Sequence, residues 1–198
     1  GMLQRYGEEG SIRFGLISGS YDKNISGGLL RRNITKLAGN SDSAKDEINT
    51  STGVFNSSVK GIIHNINTFR IAKYSYDKSK YLDCSTYGIG VSTFSNSLSR
   101  ATSSSRHCSN WGNPLAEMYL EALRYFSGET RPSQQYDTDN DDYFITGLSK
   151  ENWVSPQGSS NACANCSIIL ISTGLNSFDT DEFGAANDVP GILGSAGV

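Results

Sequence analysis

The chain has 198 residues, enough for one domain with a substantial core and too few to require a second. Its hydrophobic fraction of 36% and charged fraction of 19% are low, Ser, Asn, Thr and Gly are abundant, and the net charge is only -3, so nothing favours a nucleic-acid backbone or an anionic membrane as partner. No apolar run approaches a membrane span; the most hydrophobic stretch, residues 168–171, has the length of a strand.

The opening Gly1-Met2 reads as a tag glycine ahead of an introduced or internal Met, so the chain is expected to be cut from a longer protein, and a missing leader peptide says nothing about export. Residues 11–21, SIRFGLISGSY, alternate around Ile12, Phe14 and Leu16 and predict a strand. The turn formers of DKNISGG followed by Leu29 and Leu30 fit a hairpin or an edge extension. Val59, Ile62, Ile63, Ile66 and Phe69 recur at helical spacing and predict a helix over about 57–69. Residues 73–107 are rich in Ser, Tyr and Asn with little periodicity, which predicts a long surface insertion.

The strongest element follows it. Asn113 is a good N-cap and Pro114 suits the first helical position. Glu117 and Glu121 lie toward the positive end of the dipole, and Gly128 is placed to stop the helix. Leu115, Met118, Ala122 and Phe126, widened by Tyr119 and Leu123, form its apolar stripe. After an acidic loop at about 132–146, four consecutive aliphatics at 168–171 suggest a strand covered on both faces. Strand, helix, helix, strand points to an α/β sandwich, taken as a single domain over 1–198.

Four cysteines in this extracellular-looking composition favour disulfides, and three pairings are open. Pairing Cys84 with Cys108 and Cys163 with Cys166 is preferred, because each bridge then closes a loop beside a regular element. The longer one would stabilise by about 3 kcal/mol in the chain-entropy model. CANC has thiol-oxidoreductase spacing but precedes its strand instead of opening a helix, which favours a structural bridge over redox or zinc chemistry. Asp137, Asp139 and Asp141 alternate like the start of a calcium loop. An EF-hand needs Gly at its sixth position and Glu at its twelfth, where this chain has Asp142 and Leu148, so a non-EF calcium site and a solvated acidic turn stay open. No motif fixes a cofactor; calcium or magnesium are the ions considered. His64 and His107 stand apart from any nucleophile motif, so no catalytic residue is assigned. Trp111 and Trp153 stand near turn residues, where each would either anchor a binding surface or pack a loop onto the core, and packing is the preferred reading.

The segments RFGLISGSYDKNISGGLLRRNI, CSNWGNPLAEMYLEALRYFSG and NWVSPQGSSNACANCSIILISTGLNSFD, in this order, resemble the von Willebrand A-like N-terminal region of the PilY (or PilC) family of type IV pilus tip-associated adhesins and biogenesis factors. The resemblance implies a Rossmann-like three-layer sandwich, incomplete and carrying long polar insertions. It implies a non-enzymatic module of the cell surface or fimbrium, reached through the periplasm. Its partners would be other pilus or pilus-assembly proteins and a host or abiotic surface. Von Willebrand A domains hold a metal on three loops. By resemblance Ser109 and Asn113 fall at the second, and Thr173 and Asp179 border the third, where Thr173 replaces the usual Asp. No D-x-S-x-S follows any strand identified here, so that loop is expected upstream or absent. The rival readings are a metal- or thiol-dependent enzyme using CANC and the acidic cluster, and a calcium-stabilised structural spacer.

Overall fold

The structure is a computed structural model that describes residues 2–81, 93–95, 107–158, 164–172 and 174–179. A short helix α1 (Met2–Gly7) leads into β1 (Arg13–Ser18), which pairs antiparallel with β2 (Leu29–Lys36). The predicted strand and its return as a hairpin are both present. The antiparallel pair β3 (Ile48–Asn49) and β4 (Val54–Phe55) follows, then α2 (Ile62–Thr68), the core of the helix expected at 57–69. Within the expected insertion lie the antiparallel pair β5 (Tyr74–Ser75) and β6 (Lys80–Tyr81), and β7 (Thr93–Ser95), which runs parallel to β8 (His107–Ser109). Helix α3 (Leu115–Phe126) and the one-turn α4 (Asp141–Phe144) complete the elements. Among the described residues the strands pair only two by two.

The β1–β2 hairpin lies between two apolar clusters. Phe14 and Leu16 pack with buried Leu37, Ala38, Ile48 and Ile62, while Ile17 and Ile34 pack with Leu30, Tyr125 and Trp153. A register shift between Phe14 and Leu16 sets Asn33 and Ile34 of β2 opposite Gly15 alone, a bulge of the kind that redirects a strand's polar groups. Freed from the ladder, the Asn33 N–H donates to Glu151 (2.6 Å), its amide nitrogen donates to the Asn152 carbonyl (2.9 Å), and its Oδ1 accepts from Val154 N (2.9 Å) and the Tyr125 hydroxyl (3.1 Å). One bulged residue therefore joins the hairpin, α3 and the 151–154 segment.

Helix α3 ends as expected. Gly128 adopts φ 93°, its N–H donates to the Tyr125 carbonyl (3.2 Å), and Glu129 N donates to the Arg124 carbonyl (3.2 Å), closing a Schellman motif. Its buried face corrects the expected stripe. Ala122 is buried as expected, but Glu117, Leu120, Glu121, Arg124 and Tyr125 make up the rest of the buried face, whereas Tyr119 is exposed and Leu115, Met118 and Phe126 are half-buried. The carboxylates tolerate burial because they have partners: Glu117 accepts from Gly27 N (2.6 Å), and Glu121 accepts from Ser133 N (3.1 Å) and Ser133 Oγ (2.6 Å) and forms an ion pair with Arg124, whose Nε lies 3.1 Å away.

A second correction concerns residues 168–171. They form no strand among the described residues, and all four aliphatics are exposed. The sequence reading assumed cover on both faces, whereas Ile169, Leu170 and Ile171 are each more than half exposed.

Candidate functional site

The acidic loop is organised by cations of the chain itself. Arg31 on β2 is fully buried, and every polar group of its guanidinium is used. Nε donates to Ser18 Oγ (2.8 Å), Nη1 to the Ser149 carbonyl (3.1 Å), and Nη2 to the Gly19 carbonyl (2.9 Å) and Asp141 Oδ2 (2.5 Å). The other oxygen of Asp141 accepts from the backbone N–H groups of Tyr21 and Asp22. Asp137 and Asp139 both bind Lys150 Nζ, at 2.6 and 2.7 Å. Burial opposes the charge on Lys150, yet hydrogen bonds to these two carboxylates raise its pKa above the usual lysine value. The same hydrogen bond, with the lysine charge behind it, lowers the pKa of Asp139.

The three carboxylates considered as calcium ligands thus divide between Lys150 and Arg31, and no group of three metal-ligating side chains occurs among the described residues. Carbon-detected NMR should find Asp139 titrating below its ordinary value of 3.8. The support that the ion pair gives the fold is then present above that value and fades as pH falls through the lower, folded one. Adding millimolar calcium should leave the Asp139 resonance unmoved; a saturable shift would restore calcium as a ligand.

At the N-terminal end of α3 the structure brings together two of the four residues that the family resemblance put on a metal rim. Asn113 and Ser177 exchange backbone hydrogen bonds (3.1 and 3.2 Å), and the Asn113 amide nitrogen donates to Ser172 Oγ (2.9 Å) and to the carbonyls of Gly174 (3.2 Å) and Leu175 (3.0 Å). Asn113 therefore does not cap the helix with its side chain. Asp179 performs that service from 63 residues away, accepting from Ala116 N and holding Asn176 Nδ2 (2.6 Å) with its second oxygen. Ser109 lies in β8, described for its backbone only, and Thr173 is outside the described residues. As it stands the cluster is a clasp of hydrogen bonds that fixes Ser172 and residues 174–179 against the N-terminal end of α3.

Two residues before Asn113, Trp111 borders a surface cleft of 480 Å³ lined also by Tyr21, Phe69, Arg70, Ile71 and Tyr76. Trp111 meets Tyr21 edge-on with ring centroids 6.3 Å apart. The Tyr21 hydroxyl is itself fixed, donating to the Arg70 carbonyl (2.7 Å) and accepting from Arg70 N (3.2 Å), and burial raises its pKa. Gly112 makes the position of Trp111 possible: its N–H donates to the Asn24 carbonyl (2.9 Å), and a Cβ there would come within 2.6 Å of the Ile25 backbone. Trp111, Tyr76 and Ile71 remain open to solvent, which is the arrangement of an aromatic recognition surface. Of the two roles the sequence left to each tryptophan, Trp153 fills the preferred one of packing, while Trp111 stays at the surface. The aromatic density of FRIAKYSYD, residues 69–77, between polar stretches was the overlooked signal.

The remaining candidates stay apart. Cys166 is a free, exposed thiol whose Sγ donates to the Ala164 carbonyl (3.6 Å), so the expected bridge to Cys163 is not made here. Cys84 and Cys163 lie outside the described residues, and Cys108 is in β8. His64 in α2 sets Nε2 2.8 Å from the Gly147 carbonyl.

Comparison with known proteins gives a consistent result. The family described as "PilY1 homolog, second domain" matches residues 14–196. The type IV pilus biogenesis factor PilY1 homolog of Xylella fastidiosa (strain Temecula1) is 36% identical over 166 residues, covering 79% of this chain and 10% of that relative. The chain thus spans about a tenth of the length of the curated relative it matches. No solved structure matches it.

Proposed function

Because the chain belongs to the family of PilY1-homologue second domains, we propose that it is a non-catalytic binding module of a type IV pilus biogenesis factor, acting at the cell surface or fimbrium. Its partners are other pilus or pilus-assembly proteins, with adhesion to a host or abiotic surface following from that position. The observation that carries a binding role is the cleft between Trp111 and Tyr76, where aromatic rings stay at the surface instead of filling the core. Such rings, held by a fixed backbone, give a large contact area at small entropic cost and are the residue types that dominate interface energies. No helix among the described residues is long and apolar enough to cross a membrane.

The test is a Trp111→Ala, Tyr76→Ala double variant in the full-length protein. Each truncation of a buried interface aromatic costs about 2 kcal/mol, roughly thirtyfold in Kd. Capture of purified pilus subunits should therefore fall steeply while the melting temperature is retained, since both rings are solvent-exposed. Undiminished capture and normal surface piliation would sink the proposal.

A further inference from the structure

The acidic loop binds residues of its own chain, and those residues form a wall of the aromatic cleft. Asp141 Oδ1 accepts from the backbone N–H groups of Tyr21 and Asp22, the Thr138 hydroxyl donates to Asp22 Oδ2 (2.6 Å), and Lys23 Nζ donates to the carbonyls of Gln134 (3.0 Å) and Gln135. Three consecutive residues of the turn after β1 are thus seated on one loop. The second oxygen of Asp141 binds Arg31, whose guanidinium lies 5.8 Å from the centre of the Phe69 ring. Tyr21, Phe69 and Phe144 of α4 all pack against one buried cluster, Ala72, Ile145 and Leu148. The two walls then meet where the Tyr21 hydroxyl binds the Arg70 backbone. None of the described residues that line the cleft belongs to the acidic loop.

We propose that Asp141 is a positioning residue for this cleft: one oxygen fixes the Tyr21 wall and the other, through Arg31, the Phe69 wall, so the acidic loop sets the affinity of a surface it does not line. The role suits a carboxylate, which accepts on both sides. An Asn there turns its oxygen to only one set of donors, and its NH2 group then faces N–H groups on the other. Affinity follows because walls held in place before a partner arrives lose less freedom when it binds. The inference rests on the reading of the cleft as the binding surface.

The test compares Asp141→Asn with Trp153→Ala in the full-length protein, the second being a control that opens a cavity in a cluster sharing no residue with the cleft. Below the melting temperature of both variants, hydrogen exchange read by mass spectrometry should quicken about tenfold or more at residues 21–22 in Asp141→Asn, and capture of purified pilus subunits should weaken about tenfold. Trp153→Ala should change neither. Thr138→Val, which takes one hydroxyl from the same turn, should move both readouts in the same direction by a smaller factor and replaces Asp141→Asn if that variant does not fold. Parental exchange or parental capture in the folded variant would overturn the proposal. So would an equal loss of capture in Trp153→Ala, since general destabilisation would then explain it. The Trp111→Ala, Tyr76→Ala double variant separates the two readings: normal capture there removes the cleft as the binding surface, whereas lost capture there beside normal capture in Asp141→Asn removes the positioning role alone.

Discussion

Replacing Arg31 by Met is expected to destabilise the protein by about 3–5 kcal/mol, because it leaves the Asp141 carboxylate buried without its cation. For a domain of this size that is a fall in melting temperature of roughly 6–20 °C, measurable by calorimetry. The loss is large because the guanidinium does more than neutralise Asp141. It also satisfies the Ser149 and Gly19 carbonyls and Ser18 Oγ, and it lies over the Phe69 ring at 5.8 Å. Removing both charges in an Arg31→Met, Asp141→Leu variant should recover a substantial part of the loss, since a buried pair can often be exchanged for apolar groups of similar volume. If the double variant is no more stable than the single one, the carbonyl contacts of Arg31 and not its charge carry the effect.

Truncating Trp153 to Ala should cost a similar amount, about 3–5 kcal/mol, by opening a cavity in the cluster that joins β2 to α3. Trp153 meets Tyr125 edge-on at 5.5 Å, and the Tyr125 hydroxyl accepts from Ile34 N (3.0 Å), so the cavity would also loosen a contact between helix and hairpin. Trp153→Phe separates shape from chemistry. The buried indole Nε1 finds no acceptor among the described residues, and Phe removes that unmet donor while keeping most of the ring volume. The Phe variant should therefore lose much less than the Ala variant in urea titration; equal losses would mean that the indole N–H is satisfied after all.

The parts of this structure that the sequence made legible are those governed by local rules. The hairpin of β1 and β2, the existence of α2, the extent of α3 and its stop at Gly128 all follow from alternation, helical spacing and turn chemistry. What escaped depends on contacts between distant residues. Glu117 and Glu121 read only as charges toward the positive end of the helix dipole, because nothing in their own segment announces the donors at Gly27 and Ser133. Asn113 looks like the cap of α3 because the true one, Asp179, lies far down the chain. Asp141 resembles a calcium ligand until Arg31 is seen beside it. The aliphatics at 168–171 show the converse error: four consecutive apolar residues suggested a covered strand, and among the described residues they form none and stay exposed. In the candidate site, Trp111 was singled out but its cleft was not, since Tyr21 and Phe69 come from other parts of the chain.

The bulged Asn33 has a consequence for the order of events during synthesis. Its partners Glu151 and Val154 lie 118 and 121 residues downstream, so β2 emerges from the ribosome long before they exist. Closing loops of that length must be paid in chain entropy before the contacts repay it, which places the protein among slow folders. Until residue 154 has been made, the half-finished hairpin displays an apolar surface to its neighbours. Translation that stalls within that interval would yield an aggregation-prone intermediate, and a chaperone that shields early β2 would raise the yield of native protein.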